Sequence, residues 1–258
     1  MVSPGVQSPS VKFPIDVSAV AFDLDGTLVD TLPDLHASAN RMLADLGLTP
    51  VGAETVRAYI GRGIDRLIKH LLAGVPESHP GGQSGGNPRV DPGGNSSGEP
   101  DPVLLAEAGT IFRGHYRELL TNESRLFPEV EDTLHRIRAL GLNLACITNK
   151  TDAFTRPLLE GLGVLHLFDE VISGDTLERK KPDPLPLTYC AQRFGIAPER
   201  LLMVGDSQTD TLCARAAGCP VICVPCGYRS GMELHELDCD AIVQVVSELF
   251  ELIRPIRP

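Results

Sequence analysis

The chain has 258 residues, 42% of them hydrophobic, which suits one large α/β domain or a core carrying a small insert. Its 34 acidic against 23 basic side chains leave a formal charge of −11, a field that repels polyphosphate and anionic lipid and so argues against nucleic-acid and membrane-surface partners. No apolar run approaches the roughly 20 residues of a membrane span, and the seven cysteines, an odd number set among apolar neighbours, fit a reduced, cytoplasmic protein.

Residues 1–16 hold three prolines, one lysine and no apolar core, and are expected to form a flexible leader, neither signal peptide nor anchor. The stretch from Val20 to Asp30 reads VAFDLDGTLVD, an apolar run that ends in carboxylates and a glycine. Val20, Ala21, Phe22 and Leu24 suit a strand buried on both faces, as in a parallel sheet. Asp23 and Asp25 then stand at its carboxyl end, where open α/β sheets bind ligands, and Gly26 lets the chain turn beside them. Two acids so close repel unless a cation intervenes, and such oxygen ligands select a hard ion such as Mg²⁺. An isolated Asp-x-Asp pair also suits the cap of a turn.

Beyond Asp30 the apolar spacing turns helical, from Leu32 to Leu46 with Gly47 as the stop. A second helix is expected over Ala53–Ile60, broken by Gly61-Arg62-Gly63, and a third from Ile64. Residues 74–102 are crowded with glycine, proline, serine and asparagine, too poor in apolar surface to offset their ordering entropy, and read as a disordered loop. Helical spacing resumes at Val103. The expected organisation is therefore a helical insert over 31–124 within a core made of 17–30 and 125–258.

From Phe127 onward a helix leads into alternating strands and helices. Strands are expected over Leu142–Ile147, Glu170–Ser173, Leu201–Val204, Pro220–Val224 and Ala241–Val243. Helices are expected over Asp152–Leu162, Pro184–Phe194, Gln208–Ala217 and Val245–Ile253. This alternation implies a doubly wound, Rossmann-like parallel sheet with helices on both faces. The polar groups just past its strands share one edge, which gathers Asp23, Thr148, Asp206 and the loop around Lys181. Singly, Thr148 suits an N-cap, Lys181 a solvated charge and Asp206 a helix-start acid. Jointly, in this order at strand ends, they point to one site. Cys223-Val-Pro-Cys226 has redox or metal spacing, but no second pair accompanies it, and buried strand thiols are the simpler reading.

Asp23-Leu-Asp-Gly-Thr-Leu-Val-Asp30 resembles the first signature of the haloacid-dehalogenase-like phosphohydrolase superfamily. Thr148, Lys181 in Lys180-Lys-Pro-Asp-Pro184, and Gly205-Asp-Ser-Gln-Thr-Asp210 resemble the second, third and fourth. The resemblance implies a core with an inserted helical cap, and an enzyme with Asp23 as nucleophile and Asp25 as general acid and base. It also implies Mg²⁺ on Asp23, Asp206 and the Asp25 main-chain carbonyl. Thr148, with Asn149, would hold the phosphoryl group, Lys181 would supply a fixed positive charge, and Asp210 would orient Lys181 or a metal-bound water. An acid at Asp25 disfavours the dehalogenases of the superfamily, which lack it.

The segment Tyr59-Ile-Gly-Arg-Gly-Ile-Asp-Arg-Leu67 resembles the cap of bacterial phosphoglycolate phosphatases. That implies 2-phosphoglycolate as the small phosphorylated substrate; its carboxylate needs a second anion contact, for which the amides around Gly61, Arg62 and Gly63 with the Arg62 or Arg66 side chain are candidates, though both arginines also suit plain surface charges. Arg62 departs from the neutral residue expected between those glycines. Relatives on the same core hydrolyse sugar phosphates or pyrophosphate. A receiver domain, which also forms an aspartyl-phosphate, is the alternative from another class, but receivers lack both the cap and the second acid.

Overall fold

The structure, a computed structural model, describes residues 12–61, 63–73, 100–228 and 233–256. The first strands are β1 (Ile15–Val17), β2 (Ala19–Phe22) and β3 (Val29–Asp30), followed by helices α1 (Leu32–Asp45), α2 (Ala53–Arg57), α3 (Ile64–Leu72) and α4 (Pro102–Leu119). Next come β4 (Arg125–Leu126), α5 (Val130–Ala139), β5 (Asn143–Ile147), α6 (Asp152–Gly161), β6 (Glu170–Ile172), α7 (Leu185–Phe194) and β7 (Leu201–Gly205). The chain closes with α8 (Gln208–Ala217), β8 (Val221–Cys223), β9 (Ala241–Ile242), α9 (Leu249–Leu252) and β10 (Ile253–Pro255).

Six of these strands form one parallel sheet in the order β6-β5-β2-β7-β8-β9. Alternate residues of each strand enter different cores. Val20 and Phe22 join Leu144, Cys146, Leu202 and Val204 on the face covered by α5, α6 and the inserted helices. Ala19 and Ala21 join Ala145, Leu201 and Met203 under α7 and α8. Both faces are dry, which is why these strands read as unbroken apolar runs without polar alternation. The small side chains of Ala19, Ala21 and Ala145 let α7 and α8 approach closely.

Helices α1 to α4 lie between β3 and β4, and these two short strands pair antiparallel, Val29 with Leu126 and Asp30 with Arg125. The entry and exit of the insert are thus stitched together. Asp34, buried in the first turn of α1, reinforces the stitch by accepting hydrogen bonds from the Ser124 amide (2.8 Å), the Ser124 hydroxyl (2.7 Å) and the Glu123 amide (3.0 Å). A paired strand of two residues has no periodicity of its own, so this ribbon was not visible in the sequence.

Several expected boundaries move. The leader expected to run through Asp16 gives way at Ile15 to β1, which pairs in parallel with β10, and Asp16 takes the Arg254 guanidinium at 2.5 Å. Residues 1–11 lie outside the described residues. The closing helix expected over Val245–Ile253 is instead a 3₁₀ turn at Val246–Glu248, the single turn α9, and strand β10. Pro255 favours extended backbone at Arg254 within β10, and the pairing of Ile253–Pro255 with β1 draws this segment out of the helix. Residues 74–99 of the glycine-rich stretch are outside the described residues, whereas Pro102, expected in that loop, is the first helical residue of α4. There Asp101 caps the helix by accepting from the Val103 amide at 3.0 Å.

Candidate active site

Strand register decides what shares the carboxyl edge of the sheet. Phe22 lies opposite Cys146 on one side and Val204 on the other. The chain therefore leaves the sheet at Asp23, Thr148 and Asp206 at nearly one level. All three side chains are buried.

Lys181 reaches this edge from the loop after β6. Its Nζ donates to Asp23 Oδ1 at 2.7 Å and to Asp210 Oδ1 at 2.6 Å, with only 2% of its side chain exposed. Asp210 is fixed in turn by the start of α8. Its Oδ2 accepts from the Ser207 hydroxyl at 2.6 Å and the Ser207 amide at 3.1 Å, closing a capping box. Burial alone would lower the ammonium's proton affinity, but Asp210 and Asp23 outweigh it and hold Lys181 charged well above the usual lysine range. Asp210 thus touches Lys181 and also stands with Asp23 and Asp206.

Asp206 is clamped from two directions, by Thr27 Oγ1 on Oδ1 at 2.9 Å and by the Tyr228 amide on Oδ2 at 2.7 Å. One carboxylate oxygen from each of Asp23, Asp206 and Asp210 lies within 4.8 Å of the others. Burial, together with the neighbouring acids, pushes Asp23 up to about 7 and Asp206 well above the ordinary carboxylate range. Crowded, desolvated carboxylates of this kind are hard oxygen donors short of positive charge, a set that suits Mg²⁺.

Asp25 stands apart from that cluster. Its Oδ1 accepts from Lys150 Nζ at 2.8 Å and from Thr31 Oγ1 at 2.7 Å, and its carboxylate is not one of the three gathered acids. Lys150 is the residue that sequence reasoning passed over. It follows Thr148-Asn149 directly, and a lysine within a buried strand-end triplet was the available signal. Tyr228 was also passed over. Its hydroxyl donates to Asp30 at 2.6 Å and accepts from the Thr31 and Leu32 amides, tying the loop that clamps Asp206 to the entry of the insert.

Asn149 faces the insert. Its Nδ2 donates to the Gly61 carbonyl at 3.3 Å and to the Lys181 carbonyl at 3.0 Å. Gly61 and Gly63 line the same cleft as Asn149, Lys150 and Asp25, both with positive φ that favours glycine. The contact seen at Gly61 is through its carbonyl, whereas the sequence had assigned amides to this segment. Arg62 lies outside the described residues. Arg66 is exposed on α3 and does not line the cleft.

Residues 20–224 match the model of the haloacid dehalogenase-like hydrolase family, a span that runs from the first acid motif past the Asp206 motif. The chain belongs to this family. A phosphoglycolate phosphatase of Thiobacillus denitrificans is 45% identical over 237 residues, 92% of this chain and 96% of the relative. One of Nitrosospira multiformis is 45% identical over 244 residues, 95% and 99% of the two chains. The crystal structure of a predicted phosphoglycolate phosphatase from Haemophilus somnus superimposes with a TM-score of 0.80 at 32% identity, covering 91% of this chain and 96% of that one.

In this haloacid dehalogenase-like hydrolase the acid cluster is packed so closely that single atoms matter. A Cβ added at Gly227 would sit 1.9 Å from Asp206 Oδ2, and one at Gly205 would sit 2.6 Å from Asp210 Oδ2. Gly227→Ala is expected to displace the Asp206 carboxylate and to weaken activation by Mg²⁺ at least about tenfold, as loss of roughly 1.4 kcal/mol of metal contact would. A Mg²⁺ titration of activity that matches the unsubstituted protein would refute this. None of the seven cysteines is in a disulfide, and Cys223 is a buried residue of β8.

Proposed function

We propose that this chain is a Mg²⁺-dependent phosphatase that hydrolyses 2-phosphoglycolate to glycolate and phosphate through an aspartyl-phosphate on Asp23. The observation that carries the reading is the buried Lys181 bridge between Asp23 and Asp210, with Asp206 beside it, at the edge of the sheet. The relatives named phosphoglycolate phosphatase support the choice of substrate.

Asp23 is the nucleophile. Lys181 holds one of its oxygens and orients the other toward phosphorus, and the phosphoryl group passes to it as the glycolate oxygen leaves. Asp25 gives that oxygen a proton and later takes one from the water that attacks the aspartyl-phosphate, releasing phosphate and regenerating Asp23. Thr148 and the Asn149 amide hold the phosphoryl oxygens, and Asp210 keeps Lys181 in place. Asp23, Asp206 and the Asp25 carbonyl would hold Mg²⁺, which when bound screens the negative phosphate from the negative nucleophile. The helical insert is a cap that covers the reaction from water, with Asn149 and Gly61 joining cap and core.

Turnover of phosphate esters tests the reading. With Mg²⁺ the protein should release many equivalents of phosphate from 2-phosphoglycolate, faster than from sugar phosphates or pyrophosphate. Incorporation of about one phosphate per chain without release would mark a receiver instead.

Metal binding has a signature in stability. Because burial raises Asp23 from 3.8 to about 7, the folded protein holds a proton there that the unfolded chain has already released. In the absence of metal this site's contribution to stability is full below about pH 4 and is lost as the pH rises through about 7. Mg²⁺ binds the ionised form, so the rise in Tm on adding Mg²⁺ should be larger at pH 8 than at pH 5. Equal shifts at both pH values would count against Asp23 as a ligand.

A further inference from the structure

A cleft lies between the inserted helices and the sheet edge. Asp25 lines it and Asp23 does not, so it opens beside the acid that protonates the leaving oxygen. It is therefore the leaving group's chamber. Among its described lining residues the charged ones are Asp25 and Lys150, the others being neutral side chains such as Tyr59, Ile64 and Leu67.

A glycolate leaving group brings a carboxylate into this chamber, and a carboxylate taken from water without a cation is strongly disfavoured. Lys181 does not line this cleft, its ammonium being held at the acid cluster by Asp23 and Asp210. The ammonium of Lys150 is placed to serve. It is 4% exposed, held by Asp25 at 2.8 Å and 5.0 Å from the Tyr116 ring centroid, which pins it at the cleft wall. An ammonium has three N–H donors; Asp25 accepts one and the Tyr116 side chain engages another, which leaves one for a ligand.

We infer that Lys150 is a specificity residue whose ammonium binds the carboxylate of the substrate while keeping its contact with Asp25, so that the cleft selects phosphate esters with a second anion close to the ester oxygen. The inference rests on the reading of the substrate as 2-phosphoglycolate.

The test compares kcat/KM for 2-phosphoglycolate and for ethyl phosphate, the ester with a methyl group where the carboxylate stands. The unsubstituted enzyme should prefer 2-phosphoglycolate. Lys150→Met should reduce that preference about 10- to 100-fold, mainly through KM, the size expected for losing a hydrogen bond between charged groups. Lys150→Arg, which keeps a cation, should retain most of it. If Lys150→Met lowers both esters by the same factor, Lys150 acts only through Asp25 or through packing and the inference is overturned while the substrate reading stands. If the unsubstituted enzyme shows no preference, the substrate reading fails and the inference with it. Should the Met variant not fold, as judged by circular dichroism, Lys150→Gln against Lys150→Arg decides in the same way.

Discussion

Asp23→Asn should lower phosphate release from 2-phosphoglycolate by about 10⁴-fold or more, the scale seen when a covalent nucleophile is removed, and should leave the protein folded. Loss of activity follows because an amide oxygen cannot form the aspartyl-phosphate. Retention of the fold follows from the surroundings. Asparagine has the shape of aspartate, its oxygen can still accept from Lys181, and Lys181 keeps its 2.6 Å contact with Asp210. Burial already raises Asp23 to about 7, so an uncharged side chain is well tolerated there. Stability to heat should be equal or slightly higher at neutral pH without Mg²⁺, and the Mg²⁺-induced rise in Tm should shrink. Turnover within tenfold of the unsubstituted enzyme would remove Asp23 from its proposed role.

Lys181→Met is the second large effect, and here fold and activity should fail together. Two buried carboxylates, Asp23 and Asp210, would lose the ammonium that neutralises them. Removing one partner of a buried ion pair costs about 3–5 kcal/mol because the other charge remains desolvated. The deficit should depend on pH with a definite sign. Without Lys181 the folded-state proton affinity of Asp23, already raised by burial, rises further, so the variant gains stability as pH falls and that carboxylate takes up a proton. Urea unfolding should therefore show a larger loss at pH 8 than at pH 5. A loss that is the same at both would mean that the ion pairs contribute little and that the defect is one of packing.

The doubly wound sheet could be read from the order of residues because burial leaves a local mark. Strands dry on both faces, such as Ala19–Phe22 and Leu201–Gly205, are continuous apolar runs, and helices with one buried face, such as Leu32–Asp45, repeat at three and four. Polar residues that interrupt such runs at strand ends fall on one edge once the strands are parallel, which is how Asp23, Thr148, Lys181 and Asp206 were found. What stayed hidden depends on partners far apart in the chain and on side-chain direction. Lys181 and Asp23 are 158 positions apart, and Lys150 and Asp25 are 125 apart. No periodicity records which ammonium meets which acid. The paths of the loops and the rotamers of buried side chains settle that, and so give Lys181 to the acid cluster and Lys150 to the cleft. The same holds for the ribbon of Val29–Asp30 with Arg125–Leu126 and for the pairing of Ile15–Val17 with Ile253–Pro255. Those segments are too short to carry a pattern and become strands only because folding brings their backbones side by side.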